Sequence, residues 1–262
     1  MANFLLDTFT DTSGTYLVSH TGETGATWTK TAGTNSDAEI QSNKLTFTES
    51  SYIQYRAIAS GVPAAANYSV SAVLFYNATT TNAYGPWTGV MGRYVDENNY
   101  YYAYYYWYDQ KWHLAKTVAG TQTDLGSSAQ TLSLSNYYTL KLSMTGTTIV
   151  LNVGGSDLIT VTDSALSAKG SAGVTAYPVT PYTDGLLMDS ISGDDIAAAA
   201  VTEGYTPPAW IKPGVGPNPA RVGSQFAFMG STFIKTRRGI TAVGSSGGSG
   251  GGIGTSGAGS AN

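Results

Sequence analysis

The 262-residue chain has no cysteine and only two histidines, His20 and His113. The first absence excludes disulfide staples, thiolate metal sites and cysteine nucleophiles, and leaves the redox compartment open. The second excludes a histidine-rich metal centre. Charge is scarce too: 11% of residues are Asp, Glu, Lys or Arg, against about a quarter in ordinary soluble domains. Ser, Thr, Asn and Gly must therefore supply the polar surface. No apolar run approaches the roughly 18 residues of a membrane span. The opening Met-Ala-Asn-Phe-Leu-Leu-Asp lacks the basic and long apolar regions of a secretory signal, so the expectation is a chain made in the cytoplasm and not exported by the usual route.

Acid is missing from the end of the chain. Residues 1–203 hold eight basic and seventeen acidic side chains, a balance of −9. After Glu203 there are five basic ones (Lys212, Arg221, Lys235, Arg237, Arg238) and no acid, a balance of +5. Two pieces of opposite sign suggest a domain followed by a tail with a different partner.

Helical periodicity is almost absent. Apolar residues instead alternate in short runs between clusters of Gly, Ser, Asn and Thr, the pattern of antiparallel strands. Twelve strands are predicted: 38–40, 44–47, 52–57, 68–76, 88–94, 100–107, 112–118, 137–145, 148–153, 157–162, 172–176 and 186–193. Twelve strands without helices between them place residues 1–203 in a sandwich or barrel. Thr145-Gly146-Thr147 and Gly154-Gly155 are hairpin turns by composition. Asp96-Glu97-Asn98-Asn99 joins two long strands in the same way, with Asn able to take left-handed turn positions.

The remainder has three parts. Residues 204–224 include Tyr205 to Pro219, which holds five of the nine prolines and reads as a semi-rigid strap. Residues 225–243 contain Gln225-Phe-Ala-Phe-Met, Gly230-Ser231 and Thr232-Phe-Ile-Lys-Thr-Arg-Arg, predicted as a hairpin turning at Gly230-Ser231. Residues 244–262 hold nine Gly and five Ser, too little apolar surface to offset the entropy of ordering them in isolation.

Several stretches resemble the concanavalin A-like jelly rolls of the laminin-G-like group. They are Phe4-Leu-Leu-Asp-Thr-Phe-Thr-Asp-Thr-Ser-Gly-Thr with Gly25-Ala-Thr-Trp28; Gly89-Val-Met-Gly-Arg-Tyr-Val-Asp-Glu-Asn-Asn-Tyr-Tyr; Trp112-His-Leu-Ala-Lys; Tyr138-Thr-Leu-Lys-Leu-Ser-Met-Thr-Gly; and Thr162-Asp-Ser followed by Gly170-Ser-Ala-Gly-Val. The resemblance spans about residues 4–195. It implies an all-β fold, a two-sheet antiparallel jelly-roll sandwich carrying an extended C-terminal arm. Domains of this kind without signal peptides are similar to those of tailed-bacteriophage virion proteins. That likeness implies a non-enzymatic structural role, as a capsid decoration or a tail or fibre appendage, with other virion proteins and copies of itself as partners. Neither nucleic acid nor a membrane is expected as a partner. Calcium is common in the group, and by resemblance Asp7 and Asp189 match acidic positions on the first and last strands, with Asp163 a further hard oxygen donor. No other cofactor is implied.

The densest motif is Tyr100-Tyr-Tyr-Ala-Tyr-Tyr-Tyr-Trp-Tyr108. On a strand, Tyr100, Tyr102, Tyr104, Tyr106 and Tyr108 share one face while Tyr101, Ala103, Tyr105 and Trp107 share the other. Three readings stay open: rings filling a core and making a cross-strand ladder, a subunit interface, or a platform for sugars. Trp87 and Arg93 have matching parity on the preceding strand. A carbohydrate site would therefore comprise Trp87, Arg93, Tyr102, Tyr104 and Tyr106, with the Arg able to donate a bidentate bond.

Enzymatic signatures are wanting. Asp96 and Glu97 are adjacent and diverge, as do Asp194 and Asp195, so neither makes the facing carboxylate pair of a glycosidase. The Glu-x-Asp-x-x-Glu pattern of glucanases and the strand motifs of alginate lyases do not occur. Neither His20 nor His113 has a recognisable Ser or Asp partner at motif spacing. The Gly-rich tail has no strand before it, no helix after it and no Lys, so it is no phosphate loop.

In the arm, Phe226, Phe228, Met229, Phe233 and Ile234 precede Lys235, Arg237 and Arg238. They read as an apolar clip ending in positive charge, able to dock on an acidic partner by strand addition or to fold back over an edge strand of its own sandwich. The sequence thus predicts a displayed sandwich anchored to a particle by its arm. The alternative is a lectin-like carbohydrate-binding module using the tyrosine face, and a third reading is a glycan hydrolase or lyase.

Overall fold

In the computed structural model, the described residues are 3–33, 38–47, 54–77, 87–177 and 186–197, together with the backbone of two strands at 232–236 and 239–243. The chain divides into a unit of residues 1–201 and a second of residues 202–262.

The first unit is all β. Its early strands are β1 (Asn3–Asp7), β2 (Thr15–Tyr16), β3 (Trp28–Ala32), β4 (Ala38–Ile40), β5 (Leu45–Phe47) and β6 (Tyr55–Ala59), with one short 3-10 turn at Leu17–Ser19. The long strands follow: β7 (Tyr68–Tyr76), β8 (Trp87–Asp96), β9 (Asn99–Tyr106), β10 (Lys111–Val118) and β11 (Thr121–Ala129). Last come β12 (Asn136–Thr145), β13 (Thr148–Val153), β14 (Ser156–Thr162), β15 (Ser171–Tyr177) and β16 (Leu186–Asp195). They form two antiparallel sheets. One runs β14-β13-β12-β7-β16-β5-β4-β2 with β1 on β16; the other runs β11-β10-β9-β8-β15-β6-β3. This is the two-sheet jelly-roll sandwich that the strand pattern and the resemblance called for.

The inner faces explain the fold. Val70, Ala72 and Leu74 of β7, Leu140, Leu142 and Met144 of β12, and Ile149 and Leu151 of β13 are buried from one side. Val90, Tyr101, Ala103, Tyr105, Trp112, Leu114 and Val174 meet them from the other. Each contributes roughly 1.5–3 kcal/mol when a large apolar side chain is removed from water. Polar groups close the ends of this core. Tyr101 donates from its hydroxyl to Asp163, which also accepts from Lys116; burial pushes the Tyr101 phenol up to about 12.

Turn chemistry sets the register. Gly154 and Gly155, both at positive φ, join Val153 to its partner Ser156, as a primed hairpin turn requires. The Glu97-Asn98 turn joins Asp96 to Asn99, but neither of its residues is left-handed. The left-handed residue is Arg93 (φ 46°), inside a register break between Gly92 and Asp96. Strand β11 (Thr-Gln-Thr-Asp-Leu-Gly-Ser-Ser-Ala) has no apolar alternation. It is held by its pairing along β10 from Lys111↔Ala129 to Val118↔Thr121.

The described residues of the second unit form a hairpin, β17 (Thr232–Thr236) against β18 (Gly239–Val243), with Thr236 opposite Gly239. The described partner of Thr232–Thr236 is thus the segment after it. The partner expected at Gln225–Met229, with Phe226, Phe228 and Met229, lies outside the described residues, as do Arg237 and Arg238 and the strap and Gly-rich tail. Phe233, Ile234 and Lys235 lie on β17.

Candidate functional site

The tyrosine-rich strand resolves its two faces. Tyr101, Ala103 and Tyr105 join the core between the sheets. Tyr100, Tyr102 and Tyr104 point to the other side of the seven-stranded sheet, where they form a second cluster with Met91, Tyr94 and Ala115, bordered by Ile58, Trp87 and Tyr106. Register builds this cluster: Met91 and Ala115 flank Tyr102 from β8 and β10, and Gly89 and His113 flank Tyr104. Gly89 is required there, because a Cβ at that position would fall 2.6 Å from Tyr104 Cβ and 2.0 Å from the Ala103 carbonyl oxygen.

The rings form a continuous ladder. Tyr100 and Tyr102 have centroids 5.3 Å apart, and Tyr102 and Tyr104 stack at 5.3 Å and 13°. Tyr104 stacks in turn on His113 at 5.1 Å, while Trp87 leans on Tyr104 at 4.7 Å and lies parallel to Tyr177 at 6.3 Å. Such pairs contribute about 0.5–1.5 kcal/mol each beyond their buried area. Tyr102 and Tyr104 are themselves buried, so the part of the ladder open to solvent is its margin: Trp87, Tyr106 and Tyr177 are half-buried and Tyr108 is 65% exposed. Burial raises the Tyr102 and Tyr104 phenols far above their ordinary value, helped at Tyr102 by the neighbouring Tyr104 and Tyr100 phenols and at Tyr104 by the negative charge of Asp124. They remain neutral hydroxyls and are unavailable as proton-abstracting bases.

Of the five residues predicted for a carbohydrate site, four meet. Trp87, Tyr102, Tyr104 and Tyr106 share the outer face, with Trp87 opposite Tyr106. Arg93 does not join them. Its positive φ breaks the alternation that would have carried it outward, and it is 1% exposed at the end of the sheet. There Nε and Nη2 donate to the Ala66 carbonyl (3.2 and 3.0 Å), Nη1 to Leu166 (2.7 Å) and Nη2 also to Gly146 (2.9 Å). Arg93 is a structural clasp that ties three loops together.

Both histidines have aspartate partners, at spacings of no catalytic motif: loop folding joins His20 to Asp7 and Asp11, strand pairing brings Asp124 to His113, and the β9–β10 turn supplies Asp109, four residues before it. His113 lies between Asp109 (3.0 Å) and Asp124 (3.3 Å). Each carboxylate also accepts a backbone N–H, from Lys111 and Gly126 respectively, so the trio braces the β9–β10 turn and the β10–β11 strand pair. His20 lies between Asp7 (3.0 Å) and Asp11 (2.9 Å).

The calcium pair implied by the resemblance is not assembled. β1 does run beside β16, but Asp7 is fully buried and spends its oxygens on Phe9 N (2.7 Å), His20 and the Trp28 indole N–H (2.7 Å). Asp189 pairs with Lys44 at 3.0 Å. The Asp7 oxygens, already taken up by Phe9, His20 and Trp28, do not fit a hard cation. Among the described residues no three His, Asp or Glu side chains are placed to hold a metal ion.

Tyr100, which also packs on Tyr94 at 5.6 Å, borders a depression of about 370 Å3 whose lining includes Gln54 just before β6, Arg56 of β6, Glu97 and Asn98 of the β8–β9 turn, and Gln122 of β11. Arg56 was missed in the sequence. The signal was there, since in Tyr-Arg-Ala-Ile-Ala the inward residues Tyr55, Ala57 and Ala59 leave Arg56 on the outer face.

No family model matches the sequence and no curated protein matches it. Among solved structures the chain is similar to the carbohydrate-binding module CBM66 from Bacillus subtilis, at 15% identity and a TM-score of 0.50, over 64% of this chain and 95% of that one. It is similar to the VIP36 exoplasmic/lumenal domain in its Ca2+-bound form at 9% identity and a TM-score of 0.48, over 72% and 92% of the two chains. A glycosyl hydrolase family protein from Mycobacterium fortuitum matches at 11% identity and a TM-score of 0.49, over 74% of this chain and all (100%) of that one. At these identities the likeness is one of fold.

Proposed function

We propose that the sandwich is a non-enzymatic carbohydrate-binding module whose ligand lies along the outer face of the seven-stranded sheet. The observation that carries this reading is the aromatic ladder with its open margin at Trp87, Tyr106 and Tyr177, which offers flat apolar surface edged by hydroxyl donors. Sugar rings have one apolar face and a rim of hydroxyls, and such a surface suits both. The CBM66 module, whose fold this chain resembles, is by its name a carbohydrate binder.

Binding without turnover is favoured by the state of the polar groups. The ladder phenols are held neutral, and Asp109 and Asp124 are committed to His113 and to backbone N–H groups. A glycan array probed with the whole chain tests the proposal. Retention of a defined glycan class, with no release of reducing or unsaturated ends, is the expected result, and an array without signal would overturn it.

The +5 segment after Glu203 favours a second component of the reading. Its basic and apolar residues would attach the sandwich to an acidic assembly, as in the virion appendages that the sequence resembles.

A further inference from the structure

Two of the half-buried rings at the open margin, Trp87 and Tyr106, stand opposite each other across the β8–β9 pair. Behind both lies one imidazole. His113 stacks on Tyr104 at 5.1 Å and 13°, and Tyr104 in turn carries Trp87 at 4.7 Å. The same imidazole meets Tyr106 edge to face at 6.1 Å and 69°. Strand pairing sets this up, because Tyr104 is the β9 partner of His113 and Tyr106 that of Lys111, two residues before it. Among the described residues no other ring touches both Tyr104 and Tyr106.

The imidazole is itself held on both edges. It is 7% exposed, with Nε2 3.0 Å from Asp109 of the β9–β10 turn and Nδ1 3.3 Å from Asp124 of β11. Those carboxylates are fixed by the backbone N–H groups of Lys111 (3.2 Å) and Gly126 (3.0 Å). Anchors on opposite edges of a planar ring fix its plane, and a stacked neighbour must follow that plane. Hydrogen bonding to two aspartates could come from an amide, and stacking from a phenyl ring; histidine supplies both at once. Rings ordered before a ligand arrives spare it the entropy of immobilising them.

We propose that His113 is the positioning residue of the glycan platform. Clamped between Asp109 and Asp124, it sets the ring planes of Tyr104 and Tyr106 and, through Tyr104, that of Trp87. The assignment rests on the glycan-binding reading and adds to it the residue that preorganises the binding surface.

The experiment uses the full chain and its His113→Gln, His113→Phe, Asp124→Ala and Trp87→Ala variants. Affinity for the tightest ligand of a glycan array is measured by titration calorimetry. Near-ultraviolet circular dichroism reads the packing of the aromatic rings without ligand. His113→Gln keeps hydrogen-bonding groups and loses the ring, whereas His113→Phe keeps a ring and loses the carboxylate contacts. His113→Gln is expected to weaken binding by about fivefold or more and to alter the near-ultraviolet spectrum while the far-ultraviolet spectrum stays intact. His113→Phe should bind at least about threefold tighter than His113→Gln, the reverse of what a purely hydrogen-bonded turn brace would give. Asp124 is 55% exposed, so Asp124→Ala frees one edge of the imidazole in a folded protein and should weaken binding about threefold. In the His113→Gln background the same substitution should cost nothing further, because both residues act through one ring. An unchanged aromatic spectrum or affinity in His113→Gln, tighter binding by His113→Gln than by His113→Phe, or additive losses with Asp124→Ala would overturn the assignment. Binding lost in Trp87→Ala but unchanged in His113→Gln would overturn it while leaving the glycan-binding reading in place. An array with no signal would overturn both.

Discussion

Trp87 leans on Tyr104 across the β8–β9 pair, ring centroids 4.7 Å apart at 42°, on the outer face of the seven-stranded sheet. Tyr104 is buried while Trp87 is half open, so the indole is the part of this pair that a ligand can reach. Trp87→Ala is expected to weaken glycan binding by about tenfold or more and, through the loss of its ring pairs with Tyr102, Tyr104 and Tyr177, to lower the thermal midpoint while leaving a folded protein. The paired measurements are titration calorimetry and a thermal melt; equal affinity in the variant would remove Trp87 from the site.

Gly89 creates the space in which that pair meets. A methyl group there would collide with the Ala103 carbonyl oxygen at 2.0 Å and with Tyr104, and the backbone of β9 cannot give way without loosening its ladder. Gly89→Ala should cost about 1–3 kcal/mol of stability, read from chemical denaturation. It should also lower the affinity more than Gly126→Ala, because a Cβ at Gly126 would meet only the Ile159 side chain at 3.0 Å.

Arg93 makes the opposite kind of claim, stability without binding. Its guanidinium satisfies the Ala66, Leu166 and Gly146 carbonyls while buried. Replacing it by Met strands those acceptors and should cost roughly 3 kcal/mol or more. At a temperature where the variant is folded, its glycan affinity should equal that of the unchanged protein. A binding defect with intact stability would reverse the assignment.

These contrasts show where the sequence was readable. Strands such as Tyr68–Tyr76 and Thr148–Val153 were placed to the residue, because period-two burial against one core leaves an unambiguous trace. β11 left none, since an edge strand of Thr, Gln and Ser is specified by its neighbour's backbone. The tyrosine strand is apolar on both faces, so alternation alone could not say which ring set looked inward. Arg93 failed for a local reason: parity arguments assume unbroken strand geometry, and a positive φ inside a register break inverts them. The Asp7–His20 and His113–Asp124 contacts depend on how loops and strands are brought together, which no spacing rule encodes.

The arm prediction can be tested without knowing its structure. Residues 3–197 contain every strand of both sheets and the cores they bury. A chain ending at Val201 is therefore expected to fold cooperatively and to keep its glycan affinity. If the basic segment attaches the sandwich to an acidic assembly, the same truncation should abolish co-sedimentation with that assembly. Retained attachment would remove the anchoring role from residues 202–262.

His20 gives the stability a pH signature. The imidazole is 5% exposed and bridges Asp7 and Asp11. Burial alone would lower its pKa, but the hydrogen bond to Asp11, the charge and hydrogen bond of Asp7, and the charge of Asp11 outweigh burial and raise it above the ordinary 6.5. Glu23 faces the same imidazole and is lowered in turn: burial raises it, but hydrogen bonds with Thr8 and the charge of His20 outweigh that. A raised histidine binds its proton more tightly in the folded state. Its contribution is therefore complete below the unfolded pKa near 6.5 and is lost as pH rises through the folded value. Asp11, lowered mainly by the His20 hydrogen bond, works in the other direction, contributing above its unfolded pKa and losing that contribution as pH falls through the folded one. The thermal midpoint should decline from weakly acidic to alkaline pH in the unchanged protein, and His20→Gln, which keeps hydrogen-bonding capacity without the titrating charge, should flatten that decline. An identical pH slope in the two proteins would show that the bridge contributes no charge-dependent stability.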